Sequence, residues 1–561
     1  MIKCNKRAVL PKIASILDDF SYTCFKYEAN LISLDAEKWE DTLICEKPDL
    51  LFIESAWNQS FTKLFRLNYK GVNSSQSVVD WCKKHNIPTV FWNKEDPFHF
   101  NHFIKIAKNF DYIFTTDSDC IPRYKAITGH DRVYLLPFAA QISIHNPINK
   151  DAEKLGKVAF AGTWYQLHPL RQKDMEMLFN PALKYGLHIY DRMHNFTINK
   201  HYQFPKMYQP YIKGYLPYEE MVSTYKKYDI FLNVNIVKES PTMMSRRVIE
   251  LLACGINVIS NDSLAVKNMF PGIVQLCNTE EDAERHLNIL IKDKNLRDRL
   301  SLLGQREVFQ KHTYTHRMET ISKIVGLKYN CEEDPGVSII SVVNRQHFME
   351  SIIANFKRQK YPHKELIIII DKSSINLQVW EDRIKPDNNM KICLYEEQKT
   401  PANCINDGVS RARFDYISFF EESNYYAPDF IGDLMNAFRY SRAEIVGKCT
   451  YYTYLEDVRA FFIRFPDKEY RYVDSLLGSA MIVKKEIMEK VKLVDTTERM
   501  FPTFSNIFPA FLNECLKNGL KIYSADRFNF VYINSINSSA ALHKLFSQTL
   551  KKCPNAQHLL V

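Results

Sequence analysis

The chain has 561 residues, enough at roughly 100 to 200 residues per domain for three or four folding units with cores of their own. Apolar residues make up 46% and aromatic residues 13%, which excludes a mostly disordered chain, and 16 glycines exclude collagen-like or glycine-rich low-complexity architecture. A net charge of +9 is thin over this length: it fits a bland basic surface and leaves nucleic acid, anionic membrane and phosphorylated small molecules open as partners.

The 13 cysteines include no CxxC pair, so neither a disulfide framework nor a structural zinc site is expected. The longest aliphatic run, Leu366 to Ile370, is far short of the roughly 20 residues a membrane helix needs, and the N-terminus lacks a signal-peptide stretch. The expectation is a cytoplasmic protein without a transmembrane segment, with peripheral membrane association left open.

Four segments in the first third share one rhythm, a short aliphatic strand followed by polar residues and a helical pattern: "KRAVLPKIASILDD", "KPDLLFIESAW", "IPTVFWNKEDP" and "FDYIFTTDSD". That alternation predicts a parallel α/β sheet covered on both faces. Asp18, Asp19, Glu54, Glu95, Asp96 and Asp117 then fall at the carboxyl ends of strands, the rim where open α/β sheets bind ligands. Glu95 and Asp96 are the preferred candidates for a general base, with helix capping the competing explanation for strand-end carboxylates.

A second α/β unit begins near "KVAFAGTWYQLHPLR", where a strand at Val158 to Phe160 meets Gly162, and closes with helical patterns from Asp282 to about Gly326. Within it, "ESPTMMSRRVIELLACGINVISND" reads as a loop, a helix with Val248, Leu251 and Leu252 on its apolar face, a stop at Gly255 and a buried strand. Glu250 lies inside that helix and needs a partner. A carboxylate accepts hydrogen bonds from vicinal sugar hydroxyls, and a helix N-terminus with Arg246 or Arg247 meets a diphosphate; an ordinary Glu–Arg pair explains the same residues equally well. His312 and His316, four apart without HExxH, are expected to be structural. Residues 327–336, "LKYNCEEDPG", read as a linker. A new strand-first unit follows from "VSIISVVN", and no Walker A, GxGxxG or GxSxG motif occurs.

The segments "ILDDFSYTCFKYE", "KPDLLFIESAW", "FWNKEDP", "FDYIFTTD", "FAGTWY", "SPTMMSRRVIELLACG" and "HTYTHR" resemble, in order, the spore-maturation CgeB-like glycosyltransferases of the GT-B fold. The resemblance implies two Rossmann-like lobes, 1–156 on the acceptor side and 157–326 on the nucleotide-sugar side. It implies that Glu250 holds the donor ribose, that Arg246 and Arg247 lie near the diphosphate, and that Gly162 with Thr163 forms the close-approach loop, with no metal required. The chain departs from the wider GT-B pattern at Thr242, where a glutamate is common.

Residues 337–548 resemble a family-2 glycosyltransferase domain of the GT-A fold, on "VSIISVVNRQHFMESIIANFKRQKYPHKELIIIIDKSS", "FDYISFFEESNYYAPDF" and "LLGSAMIVKKEIMEKV"; residues 549–561 are left as a tail. Its metal-binding acidic run is reduced to Glu421 and Glu422 followed by Ser423 and Asn424, and its "DDGS" pattern to Asp371, Lys372, Ser373 and Ser374. These thinned sites favour a non-catalytic module; an active one would use Glu421 and Glu422 to hold Mn²⁺ or Mg²⁺. The resulting expectation is a bacterial, cytoplasmic glycosyltransferase with a nucleotide-sugar donor, a glycan, protein or lipid-linked acceptor and no nucleic-acid partner. The alternatives are a bifunctional polymerase and a non-catalytic binding scaffold.

Overall fold

In the computed structural model the rhythmic segments of the first third become parallel strands of one sheet. The structure describes residues 10–55 apart from 36, 74–195, 200–329, 334–371 apart from 344, 375–395, 400–495, 504–534, 550–553 and 559–561. Lys372, Ser373 and Ser374 of the "DDGS"-like position lie outside the described residues. The chain divides into two compact units, Met1–Cys331 and Glu332–Val561, and the division falls inside the expected linker.

The N-terminal unit opens with β1 (Lys12–Ile16), β2 (Asn30–Ser33), β3 (Leu50–Glu54), β4 (Thr89–Asn93), β5 (Tyr112–Thr115) and β6 (Val133–Leu135). They pair in parallel in the order β2-β1-β3-β4-β5-β6. β3 and β4 are buried at every position, as central strands covered by helices on both faces must be. The strand order reverses between β1 and β3, so Asp18 and Glu54 stand at the crevice this topology creates.

The second sheet comprises β7 (Gly156–Gly162), β8 (His188–Asp191), β9 (Ile212–Gly214), β10 (Tyr228–Asn233), β11 (Asn257–Asn261) and β12 (Gln275–Cys277). All pairs are parallel, in the order β12-β11-β10-β7-β8-β9, and the reversal lies between β7 and β10. β7 is longer than the three residues expected from the sequence because its pairing with β8 continues to Gly162.

The last helix of this unit, Tyr314–Val325, returns to the first lobe. Tyr314, Met318 and Ile321 are buried with Phe25, Phe52 and Trp92, and a backbone bridge joins Thr313 to Ala140. The boundary at 156/157 therefore divides the lobes in chain order but not in packing. His316 completes a capping box with Thr313 at this helix, and His312 lies half-buried beside Arg317.

The C-terminal unit contains β13 (Val337–Val343), β14 (Lys364–Asp371), β15 (Met390–Tyr395), β16 (Tyr416–Phe419), β17 (Tyr425–Tyr426), β18 (Ile445–Gly447) and β19 (Tyr451–Leu455). These are followed by β20 (Ala460–Arg464), β21 (Arg471–Tyr472), β22 (Met481–Lys484), β23 (Ile522–Ser524), β24 (Phe530–Asn534) and β25 (Leu550–Cys553). An eight-stranded mixed sheet runs β15-β14-β13-β16-β22-β18-β23-β21, and a smaller one runs β17-β24-β19-β20-β25. β25 pairs antiparallel with β20, so part of the segment expected to be a tail is an edge strand of the domain.

Candidate functional site

The crevice of the second sheet opens between the ends of β7 and β10. At Gly162 a Cβ would come within 2.7 Å of the Phe160 ring, so a side chain could enter only if Phe160 moved. Thr163 is buried and its carbonyl accepts a 2.6 Å hydrogen bond from Arg171 Nη1. Four buried polar atoms here have no partner: Thr163 Oγ1, Arg171 Nε, Asn233 Oδ1 and Arg247 Nε. Each such atom costs roughly 1–3 kcal/mol where nothing completes its hydrogen bonding, and four of them gather at this strand-end crevice.

The charge is equally one-sided. Burial lowers the Arg171 guanidinium to about 10, and the nearby Arg247 and Arg192 push it the same way, against Tyr165 and Asp174. Among the described residues none of these three arginines makes an ion pair, whereas Arg246 does. A cationic, under-bonded cleft is built for an anion.

Glu250 sits on the helix Arg246–Ala253, whose entry loop is fixed by Asn235 Oδ1 accepting from Ser245 N at 2.8 Å and by Ser240 Oγ accepting from Met243 N at 2.9 Å. Only 2% exposed, Glu250 accepts from Tyr218 Oη and Arg246 Nη1, both at 2.9 Å, and from Tyr225 Oη at 3.2 Å. Burial pushes its carboxyl up, but Arg246, His145, Arg247 and the Tyr218 hydroxyl outweigh burial and hold it below its ordinary value. Tyr218 Oη also lies 2.9 Å from His145 Nε2, and burial lowers that imidazole to about 4.

Arg246 and Arg247 therefore part company. The Arg246 guanidinium lies 3.6 Å from the centre of the Phe20 ring of the first lobe, on top of its pair with Glu250, while Arg247 makes no ion pair among the described residues and its charge is felt by both Arg171 and Glu250. Thr242 ties the lobes as well: its Oγ1 donates to the Thr116 carbonyl at 2.9 Å and accepts from Ser118 N at 3.0 Å.

On the first-lobe rim, Asp18 caps the helix Asp19–Phe25 through Ser21 N, and Asp117 caps the short turn Ser118–Cys120. Lys94 Nζ bridges Asp18 and Glu54, with the Glu54 Oε1 contact at 2.9 Å. Burial raises Glu54 to about 7 against the pull of Lys94. Burial also works on Asp18, but there Lys94, Ser21 and Arg246 prevail and lower it.

The expected pair of bases is split by the fold. Asp96 is 0% exposed and accepts from Asn93 Nδ2 at 2.7 Å, Thr115 Oγ1 at 2.6 Å and Tyr124 Oη at 3.0 Å, and burial raises it to about 7. It is enclosed by protein, which corrects its expected place on the open rim. Glu95 is half-buried and keeps an open face. Sequence reasoning missed Lys94, His145, Arg171, Tyr218 and Tyr225; the one local signal was a cation in the first helical turn after the Gly162 loop, which is Arg171.

In the C-terminal unit Glu421 and Glu422 follow β16 by one residue. Glu421 Oε2 accepts from Asn424 Nδ2 at 2.9 Å. Asn424 is buried, and its amide also donates to Ser479 Oγ at 3.1 Å and accepts from Ile533 N at 3.1 Å, while its carbonyl accepts from Asn355 at 2.9 Å. Where the family's run supplies an acidic oxygen, this chain has a knot between strands. Among the described residues no group of three or more His, Cys, Asp or Glu is placed to hold a metal ion, so a divalent cation here would rest on Glu421, Glu422 and the oxygens of a bound diphosphate.

Two parallel α/β lobes with facing strand-end crevices, followed by a mixed-sheet domain with carboxylates after a central strand, define a transferase with two glycosyltransferase domains in tandem. Residues 171–323 match the family described as "Glycosyl transferase-like", and residues 338–487 match "Glycosyl transferase family 2". The chain is 32% identical over 89 residues to the poly-β-1,6-N-acetyl-D-glucosamine synthase of Staphylococcus aureus, covering 16% of this chain and 22% of that protein. It is thus similar to about a fifth of that relative's length. An uncharacterized glycosyltransferase of Haemophilus influenzae is 24% identical over 212 residues, 37% of this chain and 82% of the relative. Among solved structures, S. aureus TarS 1-349 in complex with UDP-GlcNAc gives a TM-score of 0.29 at 11% identity, over 37% of this chain and 60% of that one. No helix among the described residues is long and apolar enough to cross a membrane.

Proposed function

We propose that the chain transfers a sugar from a nucleotide-diphospho-sugar to a glycan, protein or lipid-linked acceptor, with the chemistry in the GT-B-like half, as in the CgeB-like enzymes its segments resemble. The observation that carries this reading is the set of unpartnered buried atoms on Thr163, Arg171, Asn233 and Arg247 beneath arginines without carboxylate partners. The diphosphate lies against Thr163, Arg171 and Arg247 at the N-terminus of the helix Arg246–Ala253, and Gly162 allows the close approach. Glu250 takes the ribose hydroxyls in exchange for its tyrosine partners. Arg246 positions Glu250 and does not meet phosphate.

In an inverting transfer Glu95 accepts the acceptor hydroxyl proton, the freed oxygen bonds to the anomeric carbon, and the bond from that carbon to the diphosphate breaks. The charge left on the departing nucleoside diphosphate is offset by Arg171 and Arg247, preorganised in a desolvated site, so this half needs no metal. The family-2 unit serves as a docking module. A second reading, in which it is an active Mn²⁺- or Mg²⁺-dependent transferase, is favoured by the adjacent Glu421 and Glu422 at the strand end.

Calorimetric titration of the full chain with UDP, GDP, CDP and TDP in EDTA tests the main reading. One of the four should bind, and Arg171→Ala should weaken it by roughly 10- to 100-fold. Failure of all four to bind sinks the reading.

A further inference from the structure

Three surface segments of the N-terminal unit meet beside the crevice. Phe98, two residues past Asp96, packs its ring 5.8 Å from His168 in the loop after β7. That loop in turn touches the segment 200–207: Gln166 N donates to the His201 carbonyl at 2.9 Å, and the Tyr165 and Tyr202 rings are 5.6 Å apart.

These segments carry apolar side chains that stand exposed among the described residues of the unit. Leu170 is 75% exposed, Leu167 72% and Phe98 60%, the three most exposed large apolar side chains among the described residues of this unit, and Met207 on the adjoining segment is 54% exposed. Scattered exposed leucines need no explanation, but clustering of the extreme cases does.

The charge on these three segments has one sign. Residues 97–108, 162–173 and 200–207 carry Lys105, Lys108, Arg171, Lys173, Lys200 and Lys206 and contain no Asp or Glu. Lys105, Lys108, Lys173 and Lys206 are exposed. The bordering carboxylates are engaged or sit at the crevice: Asp96 is enclosed, Asp174 binds Lys238 and Asn261, and Glu95 lies on the rim. Protruding leucines and a phenylalanine on segments whose exposed charges are lysines complement a surface with an apolar interior and anionic headgroups. A soluble polyanion would match the lysines and leave the leucines without a role.

We infer that this face, formed by the loops around Phe98 and Leu167–Leu170 and the segment 200–207, seats the protein on an anionic lipid bilayer with the mouth of the crevice beside it. The inference does not depend on the donor reading, because binding to vesicles is measured without nucleotide. The purified chain is co-sedimented with phosphatidylcholine vesicles with and without phosphatidylglycerol. Binding should require phosphatidylglycerol, and both Leu167→Asp with Leu170→Asp and Lys105→Glu with Lys173→Glu should weaken it more than roughly tenfold. Unchanged melting temperatures of the variants establish that they fold. Should the aspartate variant misfold, Phe98→Trp provides the second readout, its emission shifting to the blue on phosphatidylglycerol vesicles. Equal binding with and without phosphatidylglycerol, no binding, full binding by the aspartate variant, an unshifted tryptophan, or duplex DNA held as tightly as vesicles would overturn the proposal.

Discussion

The strand-end crevice of the second lobe and the strand end after β16 resemble each other in chemistry and differ in how complete they are. In the crevice, Thr163 Oγ1, Arg171 Nε, Asn233 Oδ1 and Arg247 Nε are buried and lack partners. After β16, Asn424 engages Glu421, Ser479, Ile533 and Asn355. The first arrangement leaves buried polar atoms open to a further partner, and the second uses Asn424 to hold neighbouring segments together. Polar residues at a strand end thus mark a binding site when they are left incomplete, and a structural joint when they are closed.

Breaking the crevice at Glu250 should have the largest effect. Glu250→Ala leaves half-buried Arg246 without its carboxylate, a loss of about 2–3 kcal/mol, and abolishes nucleoside diphosphate binding. Glu250→Gln keeps one acceptor and most of the stability but not the binding, which thermal melting and calorimetry together separate.

Asn424→Asp tests the closed site from the other side. It sets a carboxylate against Glu421 and removes the donor to Ser479, so the C-terminal unit should lose about 2–4 kcal/mol in denaturant unfolding. Arg171→Met should show the opposite balance, weakening diphosphate binding by roughly 10- to 100-fold while the melting temperature holds or rises, because an under-bonded buried cation is removed.

Asp96 gives a smaller, pH-dependent effect. Its carboxyl is raised to about 7 in the fold, so it contributes stability that is complete below its ordinary range and is lost as pH rises toward 7. Buried neutral His145, lowered to about 4, runs the other way, losing stability as pH falls below the imidazole range. Whole-chain melting therefore conceals both. Asp96→Asn isolates one: its stability relative to the unsubstituted chain should increase between about pH 5 and pH 7, by on the order of 2 kcal/mol. A difference that does not vary with pH would mean the three donors to Asp96 outweigh its burial.

Much of the scaffold could be read in the residues because parallel strands and amphipathic helices impose local periods. The run "VIELLACGINVIS" predicts the helix, the turn and the strand β11, and an in-helix glutamate predicts a partner, which is found in Arg246, Tyr218 and Tyr225. What could not be read depends on contacts between distant segments. Lys94 joins carboxylates 76 and 40 positions away, and Tyr314 packs into a core begun by Phe25. Asp96 and Glu95 are neighbours in the chain, yet the turn that follows β4 carries one inward to Asn93, Thr115 and Tyr124 and leaves the other half-open. Arg171 was concealed for a different reason: a cation at the start of a helix looks like a solvated residue until the fold buries it.

The central claim, that the crevice between β7 and β10 carries the chemistry, is tested most directly by donor hydrolysis across a panel of nucleotide-sugars, with EDTA and with Mn²⁺, for the unsubstituted chain, Glu250→Ala and Glu422→Ala. The account predicts activity that survives EDTA, is lost in Glu250→Ala and is unchanged in Glu422→Ala. Activity that requires Mn²⁺ and is lost only in Glu422→Ala would contradict it and move the chemistry to the family-2 unit.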